Sequence, residues 1–247
     1  MKITRVLVTT MMILLTVGAI HADFKIVQAY HQDGFSMMGQ SQPATDENRV
    51  TWLGDDRIRM DQGNVSTIVL SDAKKMFIVD HGDKIYYEIA LPVDLNTLLP
   101  PGMGEQMMNM MKFDVTLTPS EETKKVGDWT AKRYDMKMKS AMMSIDSVIW
   151  ASTDTPLDLK DYVDLYAEVM SLQPGMADMA EKMRQIDGYI VSQDSTMSMS
   201  MMGETSIAST EEVTSIEETA PPDGTYAPPG DYTKQEFDYM KMMQRSQ

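Results

Sequence analysis

The chain has 247 residues, which is enough for one large domain or two small ones. It carries 22 Lys and Arg residues against 37 Asp and Glu residues, a formal net charge of -15. This charge argues against nucleic acid and anionic membrane surfaces as partners, because both are bound through clustered cationic side chains. The chain contains no cysteine, so disulfides, thiol nucleophiles and thiolate zinc sites are excluded. Methionine is unusually frequent, with 27 residues.

The first 22 residues have the three-part layout of a secretory signal peptide. Lys2 and Arg5 form a positive region, residues 6–17 are apolar apart from threonines, and small residues lead to Ala22. The apolar run is shorter than the roughly 20 residues that a membrane-spanning helix needs. We therefore expect cleavage after Ala22, export to the periplasm or the medium, and no transmembrane segment in the mature chain. An uncleaved anchor is the alternative.

Most of the chain after residue 23 has the pattern of antiparallel β-structure, with short β-prone runs separated by Gly, Asp and Asn turns. In one run Ile58 and Met60 alternate with charged residues, which predicts one buried and one wet face. Runs joined by such short turns pair as hairpins and form a meander. The predicted strands are residues 24–30, 49–53, 57–61, 66–70, 75–80, 84–89, 112–118, 123–126, 131–137, 145–151, 189–200, 205–216 and a last one near 213–217.

Two Met-rich stretches interrupt the strands and predict helices. In residues 95–111 the methionines fall at helical spacing on one face. In residues 154–186, Thr155 before Pro156 resembles an N-cap followed by proline in the first turn. A Pro-Gly pair then divides this stretch into two helices or one broken helix. The methionines at helical spacing are Met103, Met107, Met110 and Met111 in the first stretch and Met176, Met179 and Met183 in the second.

The sequence thus divides into a signal peptide at 1–22, a domain at 23–220 and a tail at 221–247. The tail contains Pro-Pro pairs and polar residues, followed by several methionines without an evident apolar partner. We expect this tail to be mobile.

The order of the strand and turn motifs resembles a family of secreted bacterial proteins, domain of unknown function 4412. The resemblance covers about residues 24–232, and it depends on the order of the motifs more than on any one of them. The matching motifs are residues 55–61 (DDRIRMD), 74–80 (KKMFIVD), 84–89 (KIYYEI), 116–119 (TLTP), 124–127 (KKVG), 148–150 (VIW), 156–158 (PLD) and 212–217 (EVTSIE).

Such proteins are similar in layout to periplasmic lipoprotein carriers, with a LolA-like half-barrel. The resemblance implies a mainly β (α+β) fold, in which a strongly curved antiparallel sheet or incomplete β-barrel has helices packed on its concave face. A hydrophobic cavity between sheet and helices would then hold acyl chains. The family has no established functional residues, so the resemblance assigns no catalytic role.

Motifs for catalysis are missing from the sequence. After cleavage the histidines are His31 and His81, and both fall at predicted turns or strand ends. The sequence lacks the H-E-x-x-H zinc motif, the calcium loop pattern, G-x-S-x-G, the P-loop and G-x-G-x-x-G. We therefore expect no enzymatic activity, no cofactor and no catalytic or His-based metal site.

The methionines have three interpretations, which the sequence leaves open. Methionine is flexible and fills irregular cores, so plain packing explains it. A helix with a flexible Met face is also suited to cover an apolar ligand cavity. Thioethers are soft ligands for Cu(I), and the residues 197–202 (MSMSMM) place sulfurs two residues apart on a strand. The absence of histidine near these clusters argues against copper.

The working hypothesis is an exported, non-enzymatic protein that binds or carries a hydrophobic molecule, such as a lipid or a lipoprotein acyl chain. A Met-rich periplasmic copper-binding protein and a structural cell-envelope domain are the alternatives. The sequence does not indicate an oligomeric state. The predicted ligand-binding residues are Met103, Met107, Met110, Met111, Met176, Met179 and Met183 on the helices, with Trp52, Ile58 and Met60 on the sheet.

Overall fold

The computed structural model describes residues 23–37, 40–99, 102–141, 143–157, 159–171, 175–199 and 205–237. The expected signal peptide, residues 1–22, lies outside these residues. Most of the described chain is strand, and most of the strands belong to one large, mainly antiparallel sheet. The mainly β fold class predicted from the sequence is therefore confirmed.

The described residues form fourteen strands and four helices. The strands are β1 (Asp23–Gln32), β2 (Phe35–Met37), β3 (Gln40–Gln42), β4 (Thr45–Leu53), β5 (Arg57–Gln62), β6 (Val65–Leu70), β7 (Lys75–Asp80), β8 (Ile85–Ala90), β9 (Asp114–Val126), β10 (Trp129–Lys139), β11 (Met143–Ser152), β12 (Tyr189–Met199), β13 (Thr205–Thr219) and β14 (Thr233–Gln235). The helices are α1 (Leu95–Leu98), α2 (Met103–Met111), α3 (Leu159–Ser171) and α4 (Ala177–Met183).

Twelve of these strands form one sheet in the order β14-β8-β7-β6-β5-β4-β1-β13-β12-β11-β10-β9. The first and last long strands, β1 and β13, pair antiparallel at its centre and join two meanders. The edge strands β14 and β9 are at opposite ends of the order, so the sheet is open. Among the described residues no strongly curled sheet or barrel is detected, and the helices are few and short. The strong curvature expected from the resemblance is therefore not found. Closing a sheet into a barrel requires bulges repeated around it, because bulges bend the strands. The long ladders here contain three register shifts.

One predicted pair of strands is a single strand in the structure. The sequence predicts strands at 112–118 and 123–126, because Pro119 and its neighbours interrupt the alternation. The structure has one strand, β9, with a register shift beyond the pairing of Pro119 with Tyr134. Because β9 lies at the sheet edge, the missing N–H of proline and the bulge are tolerated there. The short strands β2, β3 and β14 are absent from the sequence prediction.

Helices α3 and α4 pack on one face of the sheet, here called the helix face. Leu165 and Val169 of α3 belong to a buried cluster with residues of the central strands, including Ile26 and Val213. Met183 of α4 belongs to a second buried cluster, over strands β9 to β12. The amphipathic spacing of both helices explains this packing, because neither could bury its apolar stripe alone.

The predicted start of the second helical stretch is wrong. Helix α3 begins at Leu159, so Thr155 precedes it by more than one turn and does not act as its N-cap. Thr155 is instead buried, beside a Pro156 that lies in a bend. Among the described residues no helix combines the length and the apolar character needed to cross a membrane.

Residues 221–237, here called the strap, pack against the sheet, and the part from 221 to 232 lies on the face opposite the helix face. Tyr226 donates a hydrogen bond of 2.6 Å to Asp23, and Arg59 donates one of 2.9 Å to the carbonyl of Thr225. The strap then adds β14, parallel, to the edge strand β8. The sequence predicts a mobile tail from residue 221; these contacts hold its first part against the sheet, and residues 238–247 lie outside the described part of the chain.

Candidate functional site: a cavity between the sheet and the helices

A cavity of about 240 Å³ lies between the helix face of the sheet and helices α3 and α4. Five strands of the central sheet supply its floor, and the two helices cover it. Its walls are apolar in one part and polar in another, so it is suited to an amphipathic molecule. The lining residues are Gln28, Arg49, Thr51, Leu53, Ile58, Met60, Asp61, Gln62, Tyr166, Met183, Tyr189, Ile190, Gln193 and Glu211.

Strand register creates the polar end of the cavity. Gln28 pairs with Arg49 across β1 and β4, and Glu211 pairs with Gln193 across β13 and β12. Cross-strand partners share a face of the sheet, so these polar side chains project on the same side as the apolar core. The polar end is therefore a product of four adjacent strands rather than of one sequence motif.

Arg49 is the central charge of this polar end. Its Nε donates a hydrogen bond of 3.0 Å to Glu47, and its Nη1 lies 3.6 Å from a carboxylate oxygen of Glu211. Its guanidinium carbon lies 3.3 Å from the centre of the Tyr30 ring, a cation–π contact. The Arg49 and Glu47 side chains are each 19% exposed and that of Glu211 is 29% exposed, so this cluster is largely desolvated.

Burial raises the pKa of the Glu211 carboxyl above its ordinary value. The neighbouring guanidinium of Arg49 opposes this shift but does not cancel it. Desolvation disfavours the charged form of a carboxyl group, whereas an adjacent cation favours it. Glu211 is thus a carboxylate whose charge is incompletely compensated by its surroundings.

The apolar part of the cavity is formed by Ile58 and Met60 from β5 and by Met183 from α4. Tyr166 and Tyr189 complete it from α3 and β12. Burial raises the pKa of both tyrosines above the ordinary phenol value, so both are neutral at physiological pH. This part of the cavity can accept an alkyl chain without burying a charge against it.

The structure brings three of the ten predicted ligand-binding residues together in this cavity: Ile58, Met60 and Met183. Met176 and Met179 are half-buried against the neighbouring core cluster and do not line the cavity. Trp52 pairs with Lys25 and Arg59, which places it on the face opposite the helix face.

None of the described side chains of helix α2 lines this cavity. Met103 is 37% exposed and Met110 is half-buried, and neither lines it. Met107 and Met111 lie on the same helix, and their side chains are outside the described part of the structure. No α2 side chain belongs to the two core clusters of the described residues. The described methionine side chains of the first Met-rich stretch, Met103, Met108 and Met110, are therefore not part of the cavity wall.

Two wider hollows have volumes of about 600 and 590 Å³. They are lined by strands β9 to β13 and the β10–β11 turn, and among the described residues none from a helix contributes to either of them. A hollow on an open sheet surface leaves a ligand exposed to water, whereas ligand sites bury most of their ligand. The smaller cavity under α3 and α4 is the better candidate for this reason.

One serine–histidine contact requires consideration as a catalytic pair. The Ser66 hydroxyl lies 2.7 Å from His81 Nε2 and donates to Asp61. It also accepts from Arg59, and the other His81 nitrogen faces the Tyr232 hydroxyl at 3.0 Å. Ser66 is only 1% exposed and lies on the strap side of the sheet, so a substrate cannot approach its hydroxyl in this state. The network holds the strap in place.

The methionine clusters do not converge on a described metal site. Met136 and Met138 are buried among apolar residues of the second core cluster. Met197 and Met199 are half-buried on β12, while Met201 and Met202 lie outside the described residues. Within the described residues no group of three or more His, Asp or Glu side chains is placed to hold a metal ion. Thioether sulfurs are ligands of another kind, so the absence of a tight copper site stays a prediction and the copper-binding protein stays the alternative.

Comparison with known proteins adds no further assignment. No protein-family profile matches the chain, and no curated protein sequence matches it.

Proposed function

We propose that this protein is an exported, non-enzymatic carrier that binds the alkyl part of a lipid or a lipoprotein acyl chain in the cavity under α3 and α4. The observation that carries this proposal is the cavity itself, where Ile58 and Met60 of the sheet face Met183 of the helical layer. A concave space with an apolar part and convergent polar groups at one end is the usual form of a small-molecule site.

The volume of the cavity limits what it can hold in this state. About 240 Å³ lies slightly below the roughly 300–1,000 Å³ typical of ligand pockets. It corresponds to roughly eight water volumes of about 30 Å³ each, which is close to a chain of about eight heavy atoms. A longer acyl chain requires α3 and α4 to move outward from the sheet.

The helical layer has properties that suit such a movement. Helix α4 has seven residues, and Met183 is its side chain in the cavity. Methionine has three rotatable bonds and a polarisable sulfur, so it adapts to ligands of different shape. The proposal includes two further expectations. The helix face becomes the concave side of a half-barrel, and the chain is a member of the secreted family described above.

The proposal is tested by filling the cavity. Binding of the neutral fluorophore N-phenyl-1-naphthylamine, which exceeds the cavity in this state and so requires the outward movement of α3 and α4, and its displacement by octanol would be measured for the parent protein, Met60→Trp and Met108→Trp. Met60 lines the cavity, whereas Met108 is 45% exposed on α2 and serves as the matched control. We expect Met60→Trp to weaken binding at least about tenfold, since the larger ring occupies the ligand space, at a stability cost of about 1–3 kcal/mol.

Two outcomes would contradict the proposal. The first is that the parent protein shows no saturable binding of the fluorophore. The second is that Met60→Trp binds the fluorophore as tightly as Met108→Trp does. Thermal unfolding of all three proteins would be recorded first, so that a loss of binding is compared between folded variants.

A further inference from the structure

The charges at the polar end of the cavity indicate which head group it accepts. The ionisable residues along the cavity, tyrosines aside, are Arg49, Asp61 and Glu211. The Asp61 carboxylate is bonded to Arg59 and Ser66 on the strap side of the sheet, whereas Glu47 accepts a hydrogen bond from Arg49 on the cavity side. Two carboxylates, Glu47 and Glu211, thus accompany the single guanidinium of Arg49, which leaves the polar end with an excess of negative charge.

Arg49 is not available to an anionic ligand. One side of its guanidinium is covered by the Tyr30 ring at 3.3 Å, and its Nε is bonded to Glu47. An incoming carboxylate or phosphate would have to compete with Glu47 and would also lie close to Glu211. Like charges in a poorly solvated site repel strongly, so an anionic head group is disfavoured.

Glu211 is the acceptor that a ligand can reach. It lies 3.6 Å from Arg49 Nη1, longer than a good hydrogen bond, while Glu47 lies at 3.0 Å and is the closer partner of the guanidinium. Glu211 lines the cavity together with the amide groups of Gln28 and Gln193. A carboxylate and two side-chain amide oxygens that line one cavity can together accept several hydrogen bonds from one donor group.

We propose, building on the proposed function, that the cavity selects an amphiphile with a single ammonium head group, which donates hydrogen bonds to Glu211, Gln28 and Gln193 while its alkyl chain lies against Ile58, Met60 and Met183. Arg49 remains with Glu47 and orients the Glu211 carboxylate. The net charge of -15 favours the approach of a cation and disfavours that of an anion.

The test compares three ligands that share one eight-carbon chain: octylamine, octanol and octanoate. Each would displace N-phenyl-1-naphthylamine from the full chain at pH 8 and low salt. We expect octylamine to bind about tenfold more tightly than octanol, because a hydrogen bond to a charged group is worth more than a neutral one. Octanoate should bind most weakly of the three.

Two variants separate the carboxylate from the fold. Glu211→Gln should abolish the preference for octylamine and leave octanol affinity within about twofold, because the amide keeps the shape but lacks the charge. Glu212→Gln is the matched control: the neighbouring side chain is exposed and, one residue along the strand, points to the other face. Raising the salt concentration of the parent sample should weaken octylamine binding and leave octanol binding unchanged, which tests the charge without any substitution.

The outcomes distinguish this inference from the proposed function. Equal binding of octylamine and octanol would overturn the head-group selection and leave the carrier proposal standing. If octanoate binds most tightly of the three, the head-group inference is also overturned, and Arg49 would be the residue that binds the head group. If the protein binds none of the three ligands, so that none displaces the fluorophore, both the head-group inference and the carrier proposal are refuted.

Discussion

Removing one hydroxyl group from the strap should measurably destabilise the whole domain. Tyr226 donates a hydrogen bond of 2.6 Å to Asp23, whose side chain is only 2% exposed at the start of the central strand β1. Arg57 also donates to Asp23, at 3.2 Å, and its guanidinium lies 4.7 Å from the centre of the Tyr226 ring. Tyr226→Phe keeps the ring over Arg57 and deletes only the donor to the buried carboxylate.

The geometry sets the size of the effect. A hydrogen bond to a charged group contributes about 1.5–3 kcal/mol to the free energy of unfolding, and a neutral one about 0.5–1.5 kcal/mol. For a domain of this length each kcal/mol lowers the melting temperature by roughly 2–4 °C. Tyr226→Phe should therefore lower the melting temperature by about 3–12 °C.

Urea unfolding and calorimetry would measure this loss against a second tyrosine of the strap. The Tyr232 hydroxyl lies 3.0 Å from His81 Nδ1, a ring nitrogen rather than a buried carboxylate, so Tyr232→Phe should cost less than Tyr226→Phe. A Tyr226→Phe protein within about 0.5 kcal/mol of the parent would refute the reasoning, because measurement error and ordinary surface substitutions fall in that range. An equal loss in both variants would show that the charged acceptor has no special role.

Three further predictions concern other parts of the molecule. In a urea titration, Gly188→Ala should lower the free energy of unfolding by about 2–4 kcal/mol, since φ is +121° and a Cβ would lie 2.6 Å from the Ser152 carbonyl carbon. The control Gly224→Ala, also at positive φ but in open space, should lower it less. Hydrogen bonds from Lys234, and secondarily from Lys75, lower the pKa of Glu88 to about 2. The stabilising contribution of Glu88 is therefore present above the pKa of the unfolded state and is lost as the pH falls through 2. Glu88→Gln should flatten the profile of urea midpoint against pH between pH 5 and 2, and an unchanged profile would contradict this. A Cu(I) competition titration with a chromogenic chelator should show no stoichiometric binding, because Met136 and Met138 are packed in the core; one bound copper that is lost on changing Met197 and Met199 to Leu would establish the copper alternative.

The sheet could be predicted from the sequence because its signals are local. Alternation of apolar and polar residues, with Gly and Asp turns between, predicts strands β5 to β8 to within one residue at each end, whereas β4 begins at Thr45 and not at residue 49. The pairing of β1 with β13 is different, since it joins residues nearly two hundred positions apart and no local pattern encodes it. The position of the strap is likewise not encoded locally. Its proline-rich sequence is typical of a mobile tail, whereas in the structure Tyr226 bonds to Asp23 and Tyr232 to His81 on the sheet.

The cavity could be predicted only in part. Ile58 and Met60 alternate with charged residues, which predicts that both lie on the same, buried face of the sheet. In β4 the apolar Val50 and Trp52 favour the opposite orientation from the real one, in which Arg49 and Thr51 line the cavity. An arginine on a buried strand face contradicts the usual pattern, and it is tolerated because Glu47 and Glu211 converge on it from two strands.

Methionine methyl resonances offer the most direct test of the central claim, that a hydrophobic molecule binds under α3 and α4. A protein labelled with ¹³C-methyl methionine would be titrated with octanol, and the resonances of Met60, Met183, Met103 and Met108 would be assigned by changing each to Leu. The account predicts saturable shifts of Met60 and Met183, which line the cavity, and none of Met103 and Met108, which are exposed on α2. Shifts confined to Met103 and Met108, or no saturable shift at any of the four, would contradict it.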